Sequence, residues 1–357
     1  MPAKISSLTD RFSEFRRDCI SSCGDQPDIY NKLGLKRIAV TGGTGFLGTW
    51  IAEMIAALND EYDLKITLDL YARNISDWER RYPHLSDRAE IRLFSQDVRS
   101  PFQFQPETNF VIHAAGTPNN RVHASDPIRV VQTTVEGIGN ALEAASQLDG
   151  LNRFINVSSG LVGGVANRIG AISEDSCFPI PSGQLHMIYA DAKRSAESIA
   201  AIYRSQFRMP ISTVRPFTLL GGYQGLDCPW AVNMFIEDAI KGRDIKIYGD
   251  GNSRRSYLYG SDAAWWLLVA LIKGDDGEVY NLGGSISISH VDLAKRISCK
   301  ANKRIKVNIN ALPGKEGILD EFYPNLESTY KKLGVSQTVC LDDGIDKAWI
   351  WYSSLHK

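Results

Sequence analysis

Residues 36–50 read KRIAVTGGTGFLGTW and decide the fold class. The run KRIAV predicts a short buried strand, and TWIAEMIAAL, which begins at residue 49, predicts a helix. Four glycines lie between them, and such a turn lets backbone N–H groups approach a pyrophosphate at the positive end of the helix. No Lys-Ser/Thr pair follows, which excludes a P-loop. We therefore expect a dinucleotide at this turn, in contact with Gly42, Gly45, Phe46, Leu47 and Gly48.

Strands and helices alternate from this turn to residue 216. Apolar runs predict further strands at KITLDLYA, IRLF, NFVIHAAG, RFINVSS and ISTVRP, and helical patterns separate them, most clearly over residues 129–146 and 187–207. Such βαβ units join by right-handed crossovers and place helices on both faces of a parallel sheet. The sequence therefore predicts an α/β fold with a doubly wound, Rossmann-type parallel sheet.

The body of the chain divides into a predicted core domain and a smaller lobe. Residues 35–215 form an NAD(P)-binding Rossmann domain, to which residues 255–285 return. After residue 216 the alternation loosens, and residues 216–254 and 286–357 form a C-terminal substrate-binding lobe over the end of the sheet.

Residues 1–34 form an N-terminal extension that precedes the first strand. Phe12, Phe15 and Ile20 predict one amphipathic helix, which breaks at residues 24–27. Three roles stay open for this extension: packing on the body, association with another chain, and covering of an edge.

Composition excludes several classes of partner. The 357 residues carry a formal net charge of −1, so no overall field attracts nucleic acid or an anionic membrane. The N-terminal residues MPAKISSLTDRFSEFRRD are polar where a signal peptide is apolar, and no run approaches the roughly 18 apolar residues of a membrane span. The six cysteines include no CxxC pair, which favours reduced thiols over disulfides. We expect a cytoplasmic protein without a metal site.

The choice between NAD and NADP depends on the end of the second strand, where an acid suits the ribose of NAD and an arginine suits the phosphate of NADP. Asp69 lies inside the apolar run, whereas Arg73 comes just after it, and this placement favours NADP. A solvated loop arginine is the alternative for Arg73, so NAD stays open. Asp97 follows the third strand, where its carboxylate suits the adenine amino group. Other expected cofactor contacts are Val98, Ala114, Ala115, Gly116, Lys193 and Pro216.

Tyr189 and Lys193 are spaced i, i+4 in YADAK, which places them on one face of the predicted helix. A tyrosine hydroxyl titrates near 10, but a nearby ammonium and a nicotinamide cation both favour its phenolate. Ser158 and Ser159 end the fifth strand, at the edge of a parallel sheet that faces the ligand crevice. A serine there can hydrogen-bond the oxygen of an alcohol or ketone. Glycine loop, serine and Tyr-x-x-x-Lys in this order indicate redox catalysis with a proton relay.

Residues 36–353 resemble the extended short-chain dehydrogenase/reductase family, the NAD-dependent epimerase/dehydratase group. The motifs TGGTGFLG, HAAG, VSSG, YADAK, RPF and GDGNSRRSYLYGSD fall in the family's order, and several look most like nucleotide-sugar members. The resemblance implies a nucleotide-sugar substrate and a homodimer. It implies catalysis by Tyr189, Lys193 and Ser159, with Ser158 as the fallback. It also implies that Arg255 clasps the nucleotide diphosphate, that Tyr248 packs on the base, and that Asn233 touches the phosphate or sugar.

The chain departs from the family pattern beside the catalytic serine. Gly160 and Leu161 replace the acid that dehydratases and decarboxylases carry there, and Gly163 replaces a tyrosine. Two asparagines of the family are Thr134 and Thr218 here. Elimination of water needs an acid and a base beyond the tyrosine, so a 4,6-dehydratase or decarboxylase is disfavoured. His186, one turn before Tyr189, is either a further proton donor or an ordinary residue at the start of the helix.

Two chemistries fit these residues: epimerisation through a transient 4-keto sugar, and net reduction of a 4-keto-6-deoxy sugar nucleotide by NADPH. In both, Tyr189 moves the hydroxyl proton while the nicotinamide carries the hydride. Two alternatives stay open, a dinucleotide-binding sensor without turnover and a reductase for a ketone that carries no nucleotide.

Overall fold

The computed structural model describes residues 8–164, 170–177, 183–226, 228–301, 303–310 and 321–355. In its first half strands and helices alternate. The strands are β1 (Arg37–Thr41), β2 (Thr67–Ala72), β3 (Ile91–Ser95), β4 (Phe110–His113), β5 (Arg153–Val157) and β6 (Ile211–Pro216). The helices are α1 (Leu8–Cys23), α2 (Pro27–Leu33), α3 (Phe46–Tyr62), α4 (Ser76–Arg81), α5 (Pro83–Ser86), α6 (Asn120–Ser125), α7 (Pro127–Val131), α8 (Gly137–Ser146) and α9 (Ile188–Phe207). A π-helical turn (Gln132–Glu136) joins α7 to α8, and 3₁₀ turns occupy Gly160–Gly163 and Leu185–Met187.

The second half contains shorter strands and longer connections. Its strands are β7 (Leu219–Leu220), β8 (Ile245–Tyr248), β9 (Arg254–Ser256), β10 (Leu258–Tyr259), β11 (Val279–Leu282), β12 (Ser287–Ser289), β13 (Val307–Asn310) and β14 (Glu321–Phe322). Its helices are α10 (Ala231–Ile240), α11 (Gly260–Lys273), α12 (His290–Ser298), α13 (Glu327–Leu333) and α14 (Leu341–Leu355).

Seven parallel strands form the central sheet, in the order β11-β6-β5-β4-β1-β2-β3. All six strands expected before residue 216 lie in it, and β11 extends it by pairing with β6. The chain leaves β1 toward β2 and β3 on one side, then crosses to β4 on the other. This change of direction opens a crevice at the carboxyl ends of β1 and β4. The predicted α/β fold with a doubly wound parallel sheet is confirmed.

Helices cover both faces of the sheet, because its strands are apolar on both sides. In β1, Ile38 and Val40 face the layer formed by α3 and α11, whereas Ala39 faces the layer formed by α8 and α9. Consecutive residues therefore contribute to opposite cores. The sheet is held rigidly between the two layers, which fixes the strand ends that form the site.

The N-terminal extension forms an outer layer over α3 and α11. In α1, Cys19 and Cys23 are fully buried, and the Phe15 ring lies 4.9 Å from that of Trp50 on α3. The chain breaks at Gly24, where φ is +58°, and α2 begins at Pro27. The extension thus packs on the body of the same chain.

In the described part of the chain, three small sheets lie beyond the central one, namely β10-β7, β12-β9-β14 and β13-β8. The pairing of β14 with β9 sets Phe322 opposite Arg255. Among the described helices, none is both long and apolar enough to cross a membrane.

Candidate functional site

A cavity of about 1270 Å³ opens at the carboxyl edge of the central sheet. The glycine turn after β1 and the ends of β2, β4, β5 and β6 form its floor, and the second half of the chain contributes Trp230, Arg255 and Phe322. Its lining runs from the end of β2 to Arg255 and Phe322, which suits an extended ligand with several parts. Most of the residues that the sequence assigns to the cofactor, to catalysis and to the substrate line this one space.

The glycine turn has the shape that a pyrophosphate requires. Gly42 has a φ of +70°, and a Cβ atom there would lie 2.8 Å from the carbonyl oxygen of Ala114. Gly45 comes directly before the first residue of α3, where backbone N–H groups are unpaired within the helix. Gly48 does not line the cavity; a Cβ atom there would overlap the backbone of Gly43. These residues fit a dinucleotide, with Gly48 allowing the close packing of helix on turn.

Apart from Gly48, the residues that the sequence assigns to the cofactor line the cavity. Its lining includes Gly42, Gly45, Phe46, Leu47, Arg73, Asp97, Val98, Ala114, Ala115, Gly116, Lys193 and Pro216. A Cβ atom on Gly116 would lie 3.7 Å from the Lys193 ammonium, so the small residues after β4 leave room beside that group.

Charged side chains cluster at the end of the cavity beside β2 and β3. Arg73 and Arg129 both line it, and burial together with repulsion from Arg129 and Arg99 lowers the pKa of Arg73. Arg99 is bound to Asp97, at 2.6 Å, and holds the pKa of that carboxyl at about 2. Two guanidinium groups thus face the cavity at this end, and a third is bound to a carboxylate.

Asp69 takes no part in this cluster. Its side chain is fully buried beneath the sheet edge, where Arg92 donates to it at 2.8 Å and Arg37 at 3.4 Å. Burial raises the pKa of Asp69 to about 6. The acid in β2 therefore has a structural role, which agrees with its position inside the apolar run.

Tyr189 lines the cavity and is buried. Burial raises the pKa of its hydroxyl, and a hydrogen bond with Ser159 opposes that rise. Lys193 lies one helical turn further along α9, with its Nζ atom 5.9 Å from the centre of the Tyr189 ring. Because burial disfavours the phenolate, Tyr189 needs nearby positive charge to act as a base. Lys193 is the ammonium placed to supply it.

Lys193 is itself buried, and its Nζ atom donates to the carbonyl oxygen of Val157 at 2.6 Å. Burial lowers the pKa of Lys193 to about 8. The nearby His113 is held neutral, because burial and the charge of Lys193 lower its pKa to about 3. His113 Nδ1 is within 2.8 Å of the Thr41 hydroxyl. The bond to Val157 ties the lysine to the end of β5, directly before the two serines.

The two serines after β5 differ in what they contact. Ser159 bonds Tyr189 and also accepts from the backbone N–H of Leu161 at 3.2 Å. The Ser158 hydroxyl is buried without a hydrogen-bond partner in the described part of the chain. This geometry favours Ser159 over the fallback Ser158 as the serine of the proton relay.

An apolar wall continues from Ser159 toward Arg255. Leu161, Phe217 and Phe322 all line the cavity and pack together, with the rings of Phe217 and Phe322 4.7 Å apart. The Arg255 guanidinium lies 5.6 Å from the centre of the Phe322 ring. The wall thus leads from Ser159 to a cation suited to a phosphate.

Carboxylates are scarce in this space. Among the residues that the structure describes, Asp97 is the one acid that lines the cavity, and it lies at the end near Arg73. No group of three or more potential metal ligands occurs in those same residues.

The structure separates the neighbours Arg254 and Arg255. Arg255 lines the cavity, whereas Arg254 donates to the hydroxyl and carbonyl oxygens of Ser287. Two other residues that the resemblance assigns to substrate binding do not line the cavity. Asn233 is buried in α10 and donates to the carbonyl of Gly225 at 3.0 Å, and Tyr248 is exposed at the end of β8.

His123 is a residue of the site that the sequence did not reveal. It lies on α6, and its ring stacks on Tyr189 with a centroid distance of 4.6 Å and an interplanar angle of 14°. The histidine that lies nearest to Tyr189 in the sequence is His186, which lines the cavity but is exposed. The π-helical turn that brings Thr133 to the cavity was also missed, since nothing in QTTVE marks it.

The chain is similar to several known proteins. The sequence model of the NAD dependent epimerase/dehydratase family matches residues 38–283. An uncharacterized protein of Methanocaldococcus jannaschii is 27% identical over 327 residues, which are 89% of this chain and 96% of that protein. A trifunctional UDP-glucose 4,6-dehydratase/UDP-4-keto-6-deoxy-D-glucose 3,5-epimerase/UDP-4-keto-L-rhamnose-reductase of Arabidopsis thaliana is 24% identical over 89% of this chain, which spans only 47% of that relative.

Solved structures share the fold. The UDP-glucuronic acid 4-epimerase of Bacillus cereus, in complex with UDP-glucuronic acid and NAD, superposes with a TM-score of 0.75. The two chains are 23% identical, and the match covers 89% of this chain and 99% of that one.

Proposed function

Because this chain belongs to the NAD-dependent epimerase/dehydratase family, we propose that it is an NAD(P)-dependent enzyme that transfers a hydride at a hydroxyl-bearing carbon of a nucleotide sugar. One observation carries the proposal: Tyr189, bonded by Ser159 and set above Lys193, lies in the same cavity as the glycine turn. A dinucleotide bound at the glycine turn and a nucleotide sugar bound at Tyr189 can therefore meet in this one cavity.

The proposed roles follow from the contacts. Tyr189 takes the proton of the sugar hydroxyl during oxidation and returns it to the oxygen during reduction. Ser159 donates a hydrogen bond to that oxygen, and Lys193 stabilises the tyrosine phenolate. When bound, the nicotinamide supplies the hydride acceptor or donor. Gly42, Gly45 and the N-terminus of α3 hold the pyrophosphate, and Arg255 holds the diphosphate of the substrate.

The division into an NAD(P)-binding domain and a substrate lobe belongs to the same proposal. Trp230, Arg255 and Phe322 come from the second half of the chain and line the cavity, which supports a substrate-binding role for that half. We further propose a homodimer in the cytoplasm, on the resemblance to the family.

Epimerisation is the first candidate reaction. It moves a hydride out and back, so one tyrosine suffices and no acid for a leaving group is required. Elimination of water or carbon dioxide is disfavoured, because the described lining holds no carboxylate near Tyr189 and residues 160 and 161 are glycine and leucine. The absence of that acid at residues 160 and 161 disfavours the reaction of those relatives whose names include a dehydratase.

Net reduction of a 4-keto-6-deoxy sugar nucleotide is the second candidate. The pair Arg73 and Arg129 favours it, since two guanidiniums at the end of the cavity suit the additional phosphate of NADPH. Reductases draw on NADPH from solution, whereas an epimerase recycles the same NAD.

Mass spectrometry of the ligands that copurify with the protein separates these reactions. We expect retained NAD for an epimerase, and an empty site that takes up NADPH for a reductase. Turnover is then measured with UDP- and dTDP-linked hexoses and with a 4-keto-6-deoxy sugar nucleotide. Tyr189→Phe should lower kcat by about 10²–10⁴-fold while cofactor binding persists. A wild-type protein that binds cofactor and turns over none of these compounds would support the sensor alternative instead.

Substitution of Arg255 tests whether the substrate carries a diphosphate. Arg255→Ala should raise KM for the nucleotide sugar about tenfold or more, since hydrogen bonds to charged groups contribute roughly 1.5–3 kcal/mol. Arg254→Ala is the matched control, because its guanidinium is bound to Ser287. Unchanged KM in the Arg255 variant would favour a ketone that carries no nucleotide.

A further inference from the structure

The imidazole of His123 is held on two sides. One face stacks on the ring of Tyr189, and Nε2 lies 2.6 Å from the carbonyl oxygen of Thr117. A carbonyl oxygen only accepts, so Nε2 carries the proton of this bond. Burial lowers the pKa of His123, which keeps the ring neutral near neutral pH. The remaining nitrogen, Nδ1, therefore carries a lone pair and accepts hydrogen bonds.

Within the described part of the chain, Nδ1 of His123 has no hydrogen-bond partner, although the residue is buried. His123 lines the cavity together with Tyr189. Nδ1 is not among the fully buried unpaired atoms of the described residues, so it is open to this cavity, where a donor on a bound ligand can pair with it. The donors that an unsubstituted hexose offers are its hydroxyl groups.

We propose that His123 accepts, through Nδ1, a hydrogen bond from a sugar hydroxyl that neighbours the one deprotonated by Tyr189. The inference rests on the proposed function, because it places the sugar against Tyr189. It narrows the substrate class to sugars with a free hydroxyl next to the reacting carbon. A sugar that is deoxygenated or alkylated at that carbon leaves the acceptor unpaired and binds more weakly.

Three substitutions separate the contacts of His123. In His123→Asn the amide oxygen lies near the position of Nδ1 and keeps an acceptor there. In His123→Gln the amide nitrogen lies near the position of Nε2 and keeps the donor to Thr117. Both variants lose the ring against Tyr189, so their difference compares the acceptor at the Nδ1 position with the donor at the Nε2 position. His123→Phe keeps a ring against Tyr189 and removes both nitrogens.

The test is calorimetric titration of the cofactor-loaded protein with UDP and UDP-glucose, and with dTDP and dTDP-glucose. Within each pair, the Kd of the bare nucleotide divided by the Kd of the nucleotide sugar measures how much the sugar contributes to binding. We expect His123→Gln and His123→Phe to lower that ratio about tenfold, as loss of one hydrogen bond does. His123→Asn should stay within about threefold of the wild type, and the Kd of the cofactor should not change.

Two results would overturn the inference while leaving the proposed function intact. One is an unchanged ratio in His123→Gln; the other is a loss that falls on cofactor binding, which would assign the hydroxyl to the nicotinamide ribose. Failure of the wild-type protein to bind either nucleotide sugar more tightly than the bare nucleotide would overturn the proposed function and this inference together.

Discussion

The ring of Phe217 lies directly against the backbone of Gly160, so that a Cβ atom on residue 160 would be 2.7 Å from Cζ of that ring. Residue 160 follows Ser159, and in this chain the space beside it is filled by an aromatic ring. The ring in turn packs on Phe322. The packing of the apolar wall therefore requires glycine at residue 160, and an acidic side chain at this position would require that wall to move.

Gly160→Ala should lower the free energy of unfolding by about 1–3 kcal/mol, because the added methyl group overpacks the contact with Phe217. Urea denaturation followed by circular dichroism measures this loss. Gly139→Ala on α8 is the matched control, since nothing lies within 4 Å of its Cβ position and alanine favours a helix by up to about 1 kcal/mol. Equal free energies of unfolding in the two variants would show that the Phe217 ring moves aside without loss of stability.

The pKa of Lys193, lowered by burial to about 8, predicts a pH dependence. The ammonium is protonated below that pH and loses its proton as the pH rises through it, so the charge that stabilises the Tyr189 phenolate is lost on the alkaline side. We expect kcat/KM to fall above about pH 8, approaching a tenfold loss per pH unit. In Lys193→Met, kcat/KM should be lower and should not show this fall on the alkaline side. An identical alkaline limb in that variant would assign the titration to another group.

Arg73 and Arg129 should determine the preference between NADP and NAD. Each change to alanine should weaken NADPH binding about tenfold or more, because a phosphate loses a charge-assisted hydrogen bond, and should leave NADH binding nearly unchanged. Fluorescence titration with both cofactors measures the two affinities. Arg99→Ala serves as the control, since Asp97 binds that guanidinium. Equal losses for NADH and NADPH would assign the pair to general attraction of anions.

The sheet and its cofactor turn could be predicted because local sequence determines them. Continuous apolar runs such as NFVI form strands buried on both faces, and glycines at 42, 43, 45 and 48 permit close contacts of backbone with backbone. Tyr189 and Lys193 were predictable for the same reason, since a spacing of four places two residues on one helical face. These features depend on neighbours in sequence.

The rest of the site depends on tertiary contacts. His123 meets Tyr189 across 66 positions of chain, and no periodicity in the short helix α6 signals that meeting. Tyr248 was assigned by spacing within a resemblance, although the alternation of IKIY buries Ile245 and Ile247 and turns Tyr248 outward. That period of two was readable in the sequence and predicts the exposed position of Tyr248.

Phe15→Ala should destabilise the whole protein, because α1 is part of the core. The Phe15 ring is buried and lies within about 5 Å of the rings of Trp50, Trp351 and Tyr223. Loss of a buried phenylalanine costs about 3–5 kcal/mol, which urea denaturation measures. Arg17→Ala, on the exposed face of the same helix, should change stability by less than about 0.5 kcal/mol. Since Trp50 lies on α3, whose N-terminus follows the glycine turn, we also expect weaker cofactor binding in the Phe15 variant. Wild-type stability in that variant would mean that α1 only covers a core complete without it.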